Sequence, residues 1–263
     1  MCKNKFVLFI CSILVLLTGC SIKQEDQSVE LTVSAAASLT GAMEDIVHAF
    51  EAKYPEIDIS LNLGSSGALQ QQISQGAPID LFLSAAEDQF NYLNKNNFID
   101  NTYQDLLLNN KLVLIKKKDS PNQIKHLEDL IDDNVRRIAL GTPESVPAGM
   151  YAKQALEHVS LFQLLDNKFI YAKDVRQVLH YVETGSVDLG FVYLTDKMKS
   201  NQVETVEMVD SSWHDPINYP IGIIKETEHK DEAIIFYNFL HGKKAKNIFE
   251  AFGFTLVRSE KSE

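Results

Sequence analysis

The sequence predicts an α/β protein on mostly parallel sheets, and three observations predict it. Short apolar runs of strand character alternate with segments whose apolar residues recur at helical spacing. That alternation marks α/β units, in which each helix buries its apolar stripe on the sheet beside it. The turns from strand to helix are rich in Gly, Ala, Ser and Pro, so they leave the backbone open where such sheets bind ligands. The 263 residues suffice for one large or two modest domains.

In chain order, Lys3 and Lys5 precede an apolar run, residues 6–17, that is too short to span a bilayer and fits a signal peptide. "LTVSAA" (31–36) reads as a strand and "SLTGAMEDIVHAFEAKYP" (38–55) as a helix stopped at Pro55. Leu39, Met43, Ile46, Val47 and Phe50 give that helix one buried stripe. "IDISLNL" (57–63) alternates strictly, as a half-buried strand does. A helix over 68–75 and the strand "IDLFLSA" (79–85) follow. Farther on, "KLVLI", "RRIALG", "DLGFVY" and "YPIGIIK" read as strands. "PAGMYAKQALEHV" and "DVRQVLHYVETG" read as helices, as do "DEAIIFYNFLHG" and "KAKNIFEAFGF" at the end. The charged stretch "IKKKDSPNQIKHLED" (115–129) suggests a change of domain near residue 110. No internal repeat or low-complexity segment is present.

Leu17-Thr18-Gly19-Cys20 resembles the lipobox of bacterial lipoproteins. The resemblance implies that residues 1–19 are removed, that Cys20 carries the lipid, and that the protein is exported and anchored to the outer face of the cytoplasmic membrane. Cys2 and Cys11 leave with the signal, so no thiol remains for a disulfide, a metal site or nucleophilic catalysis. Residues 20–29 are polar and read as a tether. Loss of the signal removes two lysines and no acid, so the formal net charge of -11 becomes -13. That balance argues against nucleic acid and against a basic membrane-binding face. An anionic ligand would have to be held by local donors against the field of the whole chain.

Four helix starts share one chemistry. In "AAASLT", Ser38 stands before the first helix and suits a cap. In "GSSGAL", Ser65 or Ser66 caps the next helix, and Gly64 and Gly67 permit close approach to the backbone. In "VPAGMY", Pro147 fits the first helical position, and Ala148 and Gly149 follow with almost no side chain. In "KDVRQ", Asp174 fits an N-cap and Val175 opens the helix, with the stripe Val175, Val178, Leu179 and Val182. Each start has an ordinary capping explanation. None of the four turns brings a Lys or Arg of its own, so their convergence would make an anion site of neutral donors.

The blocks "AAASLTGAMEDI", "GSSGALQQQISQGAPIDLFLSA", "VPAGMYAKQAL" and "DVRQVLHYVETGSVDLGFVY" resemble the molybdate-binding proteins of bacterial molybdate ABC transporters, in order, from about residue 31 to residue 254. The resemblance implies the type II periplasmic-binding-protein fold, two α/β lobes with a hinge and the ligand in the cleft between them. Lobe 1 would take residues 30–109 and 219–263, and lobe 2 residues 110–218. It further implies molybdate, and tungstate with it, held by Ser38 and Ser66 through hydroxyl and N–H, by the N–H groups of Ala148 and Val175, and by the Tyr193 phenol. On the residues alone Tyr193, at the end of an apolar strand, reads as core packing. An ABC permease and its ATPase are the implied partners, and the protein is expected to be a monomer without a cofactor. Many members of the family have three consecutive serines in the second turn, where this chain has Gly64-Ser65-Ser66-Gly67.

A cage of donors suits a fully deprotonated tetrahedral dianion, whose burial is costly unless its oxygens are hydrogen-bonded. Phosphate carries a proton at neutral pH and would need an acceptor. Sulfate has the right charge on a smaller tetrahedron. The alternative reading is a receptor of the same fold for another oxyanion such as sulfate or thiosulfate. A hydrolase is disfavoured, because "GSSGA" is not a G-x-S-x-G elbow and no His has a triad context. The seven histidines are scattered without H-E-x-x-H spacing, so no direct cation ligands are expected.

Overall fold

A computed structural model of the protein describes residues 28–257. The signal segment 1–19, Cys20 and nearly all of the expected tether lie outside the described residues. Eleven strands form two sheets. The first contains β1 (Val29–Ala36), β2 (Ile57–Gly64), β3 (Leu81–Leu83), β4 (Ile99–Asn109), β10 (Asn218–Ile224) and β11 (Thr255–Leu256), in the order β11-β4-β10-β3-β1-β2. The second contains β5 (Leu112–Lys117), β6 (Ile138–Gly141), β7 (Phe169–Ala172), β8 (Leu189–Tyr193) and β9 (Val203–Met208), in the order β7-β6-β8-β5-β9. The chain therefore passes between the sheets twice, from β4 to β5 through Asn110 and Lys111 and back from β9 to β10.

The sheets are mixed rather than mostly parallel. β1 pairs in parallel with β2 and β3, and β6 pairs in parallel with β7 and β8. β10 runs against both β3 and β4, and β5 runs against β8 and β9. The antiparallel pairs gather where the chain leaves one sheet and returns to it. A strand carrying the chain out and a strand bringing it back must point in opposite directions.

The helices are α1 (Thr40–Glu51), α2 (Ser66–Ser74), α3 (Glu87–Lys95), α4 (Pro147–His158), α5 (Val175–Thr184), α6 (Leu194–Met198), α7 (Lys230–Leu240) and α8 (Lys243–Ala251). The expected stripe of α1 is buried, with Leu39, Met43, Ile46 and Phe50 all inaccessible and Val47 half-buried. Phe50 meets Phe236 of α7 edge-on at 4.8 Å, which closes one side of the first sheet. The α5 stripe buries Val175, Val178 and Val182 in the second layer, as its spacing predicts.

Several elements lie outside the sequence reading: β4, β7, β9, β11, α3 and α6. The long β4 carries exposed and half-buried polar residues in no regular order and a shifted register against β10, so it shows no clean period of two. The chain leaves the first sheet near residue 110, whereas the charged stretch 115–129 that suggests this position lies farther on. That stretch begins within β5, and the passage itself falls on Asn110 and Lys111, with no change of composition.

Candidate functional site

Four helix starts and one strand end meet between the two sheets. Ser38 follows β1 in a single 3-10 turn, Ala37–Leu39, and Ser66 opens α2 directly after β2. From the other sheet come Ala148 in the first turn of α4, Val175 at the start of α5, and Tyr193 at the end of β8. All five expected site residues line one cavity, together with Ala36, Ser65, Ala85, Val146 and Asp174. Ser66 is inaccessible, Ala148, Val175 and Tyr193 are buried, and Ser38 is half-buried.

Which way each group points follows from its other partners. Ser65, not Ser66, is the N-cap of α2, accepting the Ala68 N–H at 3.4 Å. Ser66 Oγ accepts the Ala85 N–H at 2.9 Å, so its own O–H hydrogen stays free for the cavity. Ser38 does not cap α1, because its Oγ lies 2.9 Å from the Tyr219 hydroxyl. Ala148 and Val175 stand in first turns, where a helix N–H has no intrahelical partner. Pro147 occupies the start of α4, and Asp174 caps α5 by accepting the Gln177 N–H at 2.8 Å, both as the sequence implies. Asp174 is the one acidic side chain on the cavity wall, and that cap engages its Oδ1.

Tyr193 is the most telling group. Its side chain is buried, its ring packs on Tyr219 at 6.0 Å, and its hydroxyl, though it feels that of Tyr219, completes no hydrogen bond of good geometry in the protein. A buried hydroxyl without a partner costs free energy, so this one points to a ligand. Burial pushes its phenol well above the usual range, and it remains a donor at any physiological pH. Directly behind it, the Tyr193 N–H donates to Asp196 Oδ2 at 3.2 Å. Burial raises the Asp196 carboxyl to about 7 against this hydrogen bond and the pull of Arg176.

Gly67 permits a close approach to the backbone, as the sequence implies, and the group that approaches is Ser145. The Gly67 N–H is not free for a ligand but donates to the Ser145 carbonyl at 3.0 Å, from the first sheet's side of the cavity to the second's. The enclosed space is correspondingly narrow, with about 10 Å³ open to the centre of a water molecule. Sequence reasoning missed Ala85, Asn110 and Tyr219, which hold the site serines or their partners. Tyr219 is 181 residues from Ser38 in sequence, and nothing local signals the contact. A larger cavity of about 500 Å³ lies elsewhere on the first lobe, lined by Glu30, Asp80, Glu226 and Glu228, and its acidic wall suits no anion. Among the described residues no group of three or more His, Cys, Asp or Glu side chains is placed to hold a metal ion.

Two sheets joined by two crossings, with a cavity of helix starts and hydroxyl groups between them, define a two-lobed solute-binding protein. The chain belongs to the family of bacterial extracellular solute-binding proteins, whose profile matches residues 31–255. The family serves transport and is not one of enzymes. The sequence is 45% identical over 258 residues to the Bacillus subtilis protein YvgL, assigned as an ABC transporter substrate-binding lipoprotein, covering 96% of this chain and 98% of that one. It is 36% identical over 231 residues to the Escherichia coli molybdate-binding protein ModA, covering 86% and 89% of the two chains. A solved structure, assigned as the substrate-binding domain of a molybdenum ABC transporter from Clostridium difficile, is 41% identical with a TM-score of 0.68, covering 88% of this chain and all of that one.

Proposed function

We propose that the protein captures molybdate, and tungstate with it, outside the cell and delivers it to an ABC importer. The observation that carries the reading is the buried Tyr193 hydroxyl, unpartnered in a cavity whose Ser66 oxygen already accepts an N–H. The Ser66 and Tyr193 hydroxyls thus offer hydrogens to the cavity and ask for an acceptor. A dianion with four equivalent oxygens and no hydrogen of its own meets that demand. Hydrogen bonds to a charged group contribute about 1.5–3 kcal/mol each, enough in number to offset desolvation without a buried counter-charge. Ser38, Ser66, Ala148, Val175 and Tyr193 are the proposed ligand residues.

Residues 30–109 with 219–263 form the first lobe in this reading, and residues 110–218 the second, hinged at the two crossings so that they close on the ligand. The protein acts as a monomer, tethered by lipid on Cys20 to the outer face of the membrane. The names of its relatives support molybdate as the cargo, and the donor geometry supports an unprotonated oxyanion. The test is calorimetric titration of the full-length chain in detergent with molybdate, tungstate, sulfate and phosphate. Molybdate and tungstate should bind with similar affinity, and sulfate and phosphate far more weakly. Equal binding of sulfate would assign the receptor to that anion instead.

A further inference from the structure

We propose that Asn110 and Tyr219, which stand at the two crossings between the sheets, fix the Ser38 hydroxyl as a hydrogen donor to the bound oxyanion. The proposal deepens the molybdate reading and rests on it. Asn110 joins β4 to β5, and the Lys111 N–H donates to its Oδ1 at 2.8 Å. A backbone N–H can only donate, so this contact identifies the oxygen end of the Asn110 amide. Its nitrogen therefore faces Thr195 Oγ1 at 2.9 Å and the Tyr219 hydroxyl at 3.1 Å. Both amide hydrogens are then in use.

The Tyr219 oxygen thus accepts from Asn110, and its own hydrogen must go to another neighbour. Tyr219 is buried, and the neighbour in reach is Ser38 Oγ at 2.9 Å. The opposite polarity, with Ser38 donating to Tyr219, would leave the Tyr219 hydrogen without an acceptor among the groups hydrogen-bonded to it. Ser38 Oγ accordingly accepts, and its own hydrogen is left for the cavity it lines. Burial pushes the Tyr219 phenol far above its usual range, so the relay keeps its hydrogen at any physiological pH.

The consequence is selectivity set from the hinge. Ser66 is turned into a donor by the Ala85 N–H, and Ser38 by two side chains from the crossings, Asn110 and Tyr219. Molybdate accepts from both. A phosphate monoanion or dianion brings a hydrogen that the two serines, whose oxygens already accept, are not set to receive. Tyr219 is thus a positioning residue, acting through Ser38 and not on the ligand.

A double-mutant cycle on the full-length chain tests this, with molybdate and phosphate titrated into Ser38→Ala, Tyr219→Phe and the pair. Tyr219→Phe should raise the molybdate Kd about tenfold while leaving phosphate binding unchanged or stronger, because Ser38 regains the freedom to accept. The double variant should bind molybdate no more weakly than Ser38→Ala alone. Losses that multiply in the double variant, or wild-type affinity in Tyr219→Phe, would overturn the relay. Should Tyr219→Phe fail to fold, Asn110→Leu removes the donor to Tyr219 and must show the same dependence on Ser38. A wild-type chain that binds phosphate or sulfate but no molybdate would instead sink the molybdate reading, and the relay with it.

Discussion

Ser66 and Tyr193 supply the same chemical group to the cavity but sit in opposite positions with respect to the protein. Ser66→Ala removes an O–H donor and also strips the Ala85 N–H of its acceptor in a buried place. The variant should bind molybdate about tenfold or more weakly and lose about 1–3 kcal/mol of stability, the cost of a buried unsatisfied N–H. Tyr193→Phe removes a hydroxyl with no protein partner. Its affinity should fall comparably while the melting temperature of the unliganded protein stays level or rises. Calorimetry and thermal unfolding of the two variants separate these roles, and an equal drop in melting temperature would mean that Tyr193 has a partner after all. The contrast was only half legible in the sequence. Turn chemistry marked Ser66, because small residues before a helix expose its first N–H groups. The Ala85 contact joins a helix start to a residue 19 positions farther along the chain and leaves no local trace.

At the scale of elements, the helix starts were the legible part and the crossings the illegible part. Asp174 before Val175, and Pro147 before Ala148, announce α5 and α4 through chemistry that needs no tertiary context. β4 and the short α6 depend on what they pack against, so neither period nor cap revealed them. Yet α6 holds the group with the clearest pH signature. Asp196, buried at its start, accepts the Tyr193 N–H, and its pKa stands at about 7 against an ordinary 3.8. Desolvation is the main cause, with Asp174 adding to it and Arg176 opposing. Because the folded pKa is raised, the folded protein holds a proton that the unfolded chain has released between those two values. Stability should therefore fall as pH rises from about 4 to about 7 and stay lowered above. Asp196→Asn keeps an acceptor for the Tyr193 N–H but cannot ionise, so its melting temperature should fall less between about pH 5 and about pH 8. Identical pH slopes in the two proteins would remove Asp196 from the account.

For the whole molecule, the decisive contact is the one by which the two sides of the cleft touch. Gly67 N–H meets the Ser145 carbonyl at 3.0 Å, and the Lys199 ammonium lies 3.4 Å from the centre of the Phe252 ring on another part of the seam. The cation–π contact joins flexible side chains and tolerates change. The Gly67 contact joins two backbones. A Cβ at Gly67 would stand 2.6 Å from the Ser145 oxygen and 2.7 Å from its Cα, and neither atom can swing aside. Gly67 is thus matched to a tight approach of Ser145. Gly67→Ala should hold the cleft apart, weakening molybdate binding while each sheet keeps its own core and the fold stays cooperative. Gly64, at the end of β2 before the same turn, provides the control, because its added Cβ would meet only the Leu69 side chain at 3.4 Å. Gly64→Ala, at a residue that lines the cavity without meeting Ser145, should still contract on molybdate. Titration together with the radius of gyration, measured with and without molybdate, distinguishes the outcomes. A Gly67→Ala protein that contracts on ligand and binds with wild-type affinity would show that closure does not need this backbone contact.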